Sequence, residues 1–152
     1  MYWGMVDTRR RHLPHWEGAG AIYFVTWSLA RPQAVLSADE RDLVVDALRH
    51  FADDRYGLSA WVVMDDHVHV IVRPFHGWSL SRILHSWKSY TAHQIVRAGR
   101  RAAPVWQNES YDRIVRDEDE MTRFTGYIVE NPRRRWPELT EYKWMYPELR
   151  PL

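Results

Sequence analysis

Two apolar runs, residues 58–64 (LSAWVVM) and 67–73 (HVHVIVR), stand on either side of the pair Asp65-Asp66. Short runs rich in Val, Ile and aromatic residues form strands, and two adjacent Asp residues suit a tight turn. The segment therefore predicts a β-hairpin. That hairpin commits the chain to an antiparallel sheet, and the other elements must be arranged around it.

Residues 21–29 (AIYFVTWSL) read as a buried strand ended by Arg31 and Pro32. Ser37 is a suitable helix N-cap, with Asp39 and Glu40 in the first turn. Leu43, Val44, Ala47, Leu48 and Phe51 then recur at helical spacing, and Gly57 closes that helix. Pro74 and Gly77 break the second hairpin run. Ser79 caps a further helix through Leu80, Ile83, Leu84, Trp87, Tyr90, Ile95 and Val96. Residues 98–104 read as a loop and 111–115 as a short strand. Asp117 caps a last helix over 118–131, with Met121, Phe124, Thr125 and Ile128 inward and Asn131 leaving the helix before Pro132.

The first six elements follow a ferredoxin-like split βαβ plan. The expected fold is α+β, an antiparallel sheet with two helices on one face, plus a C-terminal helix. The length of 152 residues fits a single domain over 1–152, with a basic N-terminal arm at 1–20 and an irregular tail at 136–152.

The chain has no Cys, which excludes disulfides, thiolate catalysis and sulfur-ligated zinc. No apolar run reaches membrane-spanning length, and the N-terminus has no apolar signal core. The expectation is a cytoplasmic protein with no membrane partner. Net charge is only +1, but Arg is clustered at Arg9, Arg10 and Arg11, at Arg97, Arg100 and Arg101, and at Arg133, Arg134 and Arg135. Such blocks can form a basic face despite a balanced total, or can each be ordinary solvated surface. Of nine Trp, Trp61 and Trp87 lie in apolar runs and read as core.

His67 and His69 lie two apart in a strand, so both side chains leave one face while Val68 points to the other. Two such imidazoles can bind one divalent cation. Alone, this pattern is more often a polar pair on a solvated strand face. Tyr127 and Asn131 lie four apart on a helix and share a face. A phenol is a poor nucleophile near its usual pKa of ~10, but a metal and neighbouring cations can enable its attack on a phosphate. Asn131 offers an amide oxygen as a third ligand. Mg²⁺ or Mn²⁺ suits the phosphate, and the imidazoles favour Mn²⁺. Taken alone, Tyr127 reads as a ring at the core edge and Asn131 as a helix end before proline.

The stretch WVVMDDHVHVIVRP resembles the HUH motif of single-tyrosine transposases. The stretch VWQNESYDRIVRDEDEMTRFTGYIVENPRR resembles the REP-associated tyrosine transposases of the IS200-like superfamily. The matching blocks are Trp106-Gln107, Tyr111-Asp112-Arg113, the acidic helix start at 117–120, and Tyr127-Ile128 with Asn131-Pro132. The helix with Ser86-Trp87-Lys88-Ser89-Tyr90 resembles the group's middle helix, and the likeness spans about residues 20–135.

The resemblance implies a transposase that cleaves and rejoins hairpin-associated single-stranded DNA through a 5′-phosphotyrosine. By position, Tyr127 matches the nucleophile, His67 and His69 the metal pair, and Asn131 the third ligand. Lys88 and the three Arg blocks are then candidate phosphate contacts. The arm around Arg9, with Trp3 and Trp16, is a candidate for tracking a groove or stacking on a base. Asp66 stands where many members have Asn, Gly126 directly precedes the tyrosine, and Arg-Arg-Arg follows Pro132. The implied partner is single-stranded or hairpin DNA, and the protein acts as a monomer or a homodimer. Two other readings remain open: a catalytically silent hairpin-binding regulator of the same fold, and a hydrolase using water at the His pair.

Overall fold

The central strand of the sheet is β3 (His67–Pro74), flanked by β1 (Tyr23–Ser28) and β2 (Tyr56–Val63). Outside these lie β4 (Tyr111–Ile114) and β5 (Met145–Tyr146), giving the order β4-β1-β3-β2-β5 with every pairing antiparallel. The helices are α1 (Ala38–His50), α2 (Leu80–Arg97) and α3 (Glu118–Arg135). This computed structural model describes residues 20–152, so Arg9, Arg10, Arg11, Trp3 and Trp16 lie outside the described residues. The ferredoxin-like α+β plan read from the sequence is the fold observed.

Strand parity divides the core into two layers. Val68, Val70 and Val72 pack with Val25 and Trp27 of β1 against Val44 and Leu48 of α1 and Ile83 and Trp87 of α2. Ile71, on the other face, packs with Phe24, Ala60 and Val62 under Ile128 and Val129 of α3. His67 and His69 share the parity of Ile71, so they project on the α3 side of the sheet. Trp61 and Trp87 are both buried, as their apolar runs imply.

Capping follows the sequence closely. Ser37 forms a capping box with Glu40, while Ser79 and Asp117 accept from the N3 amides of α2 and α3. Two ends differ from expectation. Helix α1 stops at His50 rather than near Gly57, because Asp53 adopts φ 68° and turns the chain. Asp tolerates that left-handed conformation better than most residues. Gly57 then lies within β2.

The last helix does not end before Pro132 but runs through it to Arg135. Proline removes one amide donor, and the ladder resumes when Trp136 N–H donates to the Pro132 carbonyl at 2.8 Å. Pro132 itself is buried. Arg133 donates to the Leu139 carbonyl at 2.9 Å, and Arg135 pairs with Asp65 at 2.6 Å, which anchors the extra turn.

The tail is more ordered than its composition implies. It adds β5 to the edge of β2, and Tyr142 Oη donates to the Val63 carbonyl at 2.7 Å. Among the described residues, no helix is long and apolar enough to cross a membrane.

Polar pegs hold the α1–α2 layer. Trp87 Nε1 donates to Tyr56 Oη at 2.9 Å, and Tyr56 donates to the Leu48 carbonyl at 2.6 Å. Trp106 Nε1 donates to Thr91 Oγ1 at 2.9 Å, and Thr91 donates to the Trp87 carbonyl at 2.7 Å. Thr91→Val keeps the shape of this peg but strands a buried indole N–H. Urea denaturation should show a loss of about 1–3 kcal/mol, with Thr91→Ser restoring most of it. An unchanged midpoint in Thr91→Val would rule out this account of the Trp106 anchor.

Candidate active site

Antiparallel register sets the floor of the site. Thr26 of β1 lies opposite His69, and Ser28 lies opposite His67. Thr26 Oγ1 sits 2.6 Å from His69 Nδ1, and Asp66 Oδ1 sits 2.7 Å from His67 Nδ1. Each ring thus has its Nδ1 held by a neighbour. The His67 and His69 rings pack edge to face with centroids 4.6 Å apart.

The Nε2 atoms remain. His69 Nε2 is buried and has no hydrogen-bond partner. His67 Nε2 lies 3.3 Å from Asn131 Oδ1. In the neutral ring with Nδ1–H donating to Asp66, His67 Nε2 presents a lone pair, as does the amide oxygen facing it. In that tautomer both atoms are acceptors, and both are free to act as ligands to a shared cation. Burial, then the charges of His67 and Arg134, push the His69 pKa down to about 3, so its imidazole is neutral. Among the described residues no three of His, Cys, Asp and Glu gather as a metal cluster. The third donor beside this pair is an amide.

Helix α3 roofs the site. Its helical spacing places Tyr127, Asn131 and Arg134 on one face, at i, i+4 and i+7. The Tyr127 ring meets His69 edge to face at 5.2 Å and Phe24 at 6.1 Å, while remaining 39% exposed. The Arg134 guanidinium lies 4.5 Å from the Tyr127 ring centre. The phenol is thus reachable from solvent and bordered by the Arg134 cation and the neutral His69 imidazole.

Asp66 also accepts from Arg135 at 3.3 Å. Burial pushes the Asp66 carboxyl up, but the His67 hydrogen bond and the charges of His67 and Arg135 outweigh it and hold the pKa below its ordinary value. Asp66 is therefore an anion oriented by two donors.

The basic residues singled out in the sequence fall into different surroundings. Lys88 Nζ donates to the Gln107 carbonyl at 2.8 Å, the Asn108 carbonyl at 3.2 Å and Ser110 Oγ at 3.0 Å, which braces the loop before β4. Burial lowers its pKa. Arg100 pairs with Asp39 at 2.9 Å, and Arg101 with the buried Glu40 at 2.7 Å. Arg97 is exposed in the last turn of α2. Among the described residues of these blocks, only Arg134 and Arg135 reach the site: Arg134 lies over the Tyr127 ring and Arg135 reaches Asp66 beside His67.

Sequence reasoning missed Thr26, Phe24 and the contacts of Arg134 and Arg135. The i+7 spacing would have found Arg134 had the helix been extended past Pro132. Trp106 and Gln107 turn out to build the scaffold: Trp106 is core, and Gln107 Nε2 donates to the Leu29 carbonyl at 3.2 Å.

In fold, the chain is similar to a REP-associated tyrosine transposase solved bound to a REP hairpin. The TM-score is 0.70 at 19% identity, covering 95% of this chain and 81% of that one. It is also similar to a protein of Deinococcus radiodurans R1 described as a transposase, with TM-score 0.53 at 21% identity, covering 72% of this chain and 88% of the other. Among curated proteins none matches in sequence. The family model for IS200-like transposases matches residues 20–131, and the chain belongs to that family.

Proposed function

We propose that the protein is a REP-associated type of tyrosine transposase that nicks and rejoins single-stranded DNA beside a hairpin, with Tyr127 as nucleophile. The observation that carries this reading is that the His67 and His69 rings lie 4.6 Å apart, with Asn131 Oδ1 3.3 Å from His67 Nε2 and the Tyr127 ring 5.2 Å from His69. The orphaned, buried Nε2 of His69 supports a cation in that space, because a neutral imidazole there otherwise lacks any partner. Two nitrogens and one amide oxygen suit Mn²⁺ or Mg²⁺ and leave positions for phosphate oxygens. When bound, the ion supplies Lewis-acid polarisation of the scissile phosphate.

The remaining work falls to the chain. Thr26 and Asp66 hold the two rings by Nδ1. Arg134 offers a guanidinium to the charge that develops at the phosphate or phenolate. Tyr127 Oη forms a bond to phosphorus as the bond from phosphorus to the 3′ oxygen breaks; the phenol gives its proton to solvent, and the leaving 3′ oxygen takes one proton up from solvent. The products are a 5′-phosphotyrosine and a 3′-hydroxyl. Attack by a 3′-hydroxyl on that linkage reverses the step and rejoins DNA without ATP.

Incubating the protein with labelled hairpin DNA bearing single-stranded flanks, in Mn²⁺ or Mg²⁺, should yield a covalent protein–DNA adduct. Binding without cleavage in either metal would favour a silent hairpin-binding regulator. Thr26→Val should lower Mn²⁺ affinity by roughly 10–100-fold in calorimetry, because His69 loses its orienting partner. Unchanged affinity would remove Thr26 from the support of the site.

A further inference from the structure

Arg135 stands in a block that reads from sequence as DNA-binding, yet its guanidinium is turned toward protein. Its Nη1 donates to both oxygens of Asp65, at 2.6 and 2.8 Å, and its Nη2 reaches Asp66 Oδ1 at 3.3 Å. Asp66 Oδ1 is the same atom that holds His67 Nδ1 at 2.7 Å. One guanidinium therefore bridges two neighbouring carboxylates of the β2–β3 turn. A cation facing two anions has little attraction left for a phosphodiester.

The connections it makes are long-range. Asp65 and Asp66 precede β3, which carries His67 and His69, while Arg135 ends α3, which carries Tyr127 and Asn131. The Asp65 side chain is only 12% exposed, and Arg135 Nη1 lies against both of its oxygens. The Asp66 side chain is 42% exposed and would otherwise be free to swing into water.

We propose that Arg135 is a positioning residue: through Asp65 it clasps the last turn of α3 to the hairpin, and through Asp66 it fixes the ring of His67 so that Nε2 faces Asn131. This rests on the reading of His67 and Asn131 as donors to one cation. Arg135 thus assembles the two halves of the site, and Arg134, its neighbour, is the one left facing Tyr127.

The test uses the full chain and the variants Arg135→Ala, Arg135→Lys and Asp66→Ala. Metal-free protein is examined by ¹⁵N NMR of the histidine rings, Mn²⁺ affinity by EPR, and hairpin affinity in EDTA across a salt series. Wild type should show His67 as its Nδ1–H tautomer. Arg135→Ala and Asp66→Ala should each give a mixture of tautomers and weaken Mn²⁺ by about 10–100-fold. The double variant should lose less than the sum of the two single ones, since both act in part on one ring. Arg135→Lys keeps the charge but not the fork, and should fall between. Hairpin affinity in EDTA should not change.

Weaker hairpin binding with a shallower salt slope, beside an unchanged tautomer and Mn²⁺ affinity, would make Arg135 a phosphate contact and overturn the proposal. Should Arg135→Ala fail to fold, Arg135→Lys and Asp66→Ala decide the matter, because the latter leaves the Asp65 pair intact. A wild type that binds no Mn²⁺ yet shows the expected tautomers would sink the metal reading and leave the clasp standing.

Discussion

Tyr127→Phe should give a folded protein that still binds hairpin DNA but forms no covalent adduct, with cleavage reduced on the order of 10³-fold or more. The geometry keeps the expected effect confined to chemistry. The ring is held by Phe24 and His69 and covered by Arg134, and a phenyl group makes the same contacts. What is removed is the hydroxyl at a position 39% exposed, where no buried partner is stranded. Thermal stability should therefore stay within a few tenths of a kcal/mol of wild type. Three measurements on one preparation check this: melting temperature, hairpin affinity in EDTA, and adduct yield with Mn²⁺ on a denaturing gel. Cleavage that survives in Tyr127→Phe would mean that water is the nucleophile at the His pair, and the phenol would then be no more than a lid. Loss of hairpin binding would place Tyr127 in recognition rather than in bond making.

The legible part of this molecule is the part set by local periodicity. A period of two fixed the face shared by His67 and His69, and helical spacing fixed the face shared by Tyr127 and Asn131. Hydroxyl and carboxylate caps at Ser37, Ser79 and Asp117 marked the starts of the helices. The parts that escaped depend on register or on sequence-distant pairing. Thr26 supports His69 only because β1 pairs with β3 in one particular register, and nothing in residues 21–29 names that register. Pro132 reads as a stop because it lacks an amide, yet buried packing and anchored arginines carry the helix past it. That single turn decides whether Arg134 and Arg135 reach the site. Clustering of Arg in sequence carries no information about which way each guanidinium turns. Lys88 and Arg101 show this most clearly, since both are tied to protein acceptors.

Arg101→Ala should be among the most destabilising single changes in the chain and should leave hairpin binding intact. Arg101 donates to Glu40 through Nε at 3.0 Å and Nη2 at 2.7 Å, and to the Ala34 carbonyl at 2.7 Å. The Glu40 side chain is only 2% exposed and also accepts from Ser37 N–H at 2.9 Å, which closes the cap of α1. Removing the guanidinium leaves a buried carboxylate without its cation, which costs about 3–5 kcal/mol. For a chain of this length that corresponds to a fall in Tm of about 6–20 °C. The acid response gives a second check. Burial raises the Glu40 pKa, but hydrogen bonds from Arg101 and Ser37 and the Arg101 charge outweigh it, so the value is lowered overall. A lowered carboxylate stabilises the fold above the unfolded value of ~4.3, and that contribution is lost as pH falls through the folded value. Glu40→Gln should therefore be less stable than wild type at neutral pH and should show a flatter acid limb below about pH 4. Hairpin affinity, measured at a temperature where both proteins are folded, separates the two roles open to Arg101. A shallower salt slope in Arg101→Ala, with little change in Tm, would return this residue to the DNA.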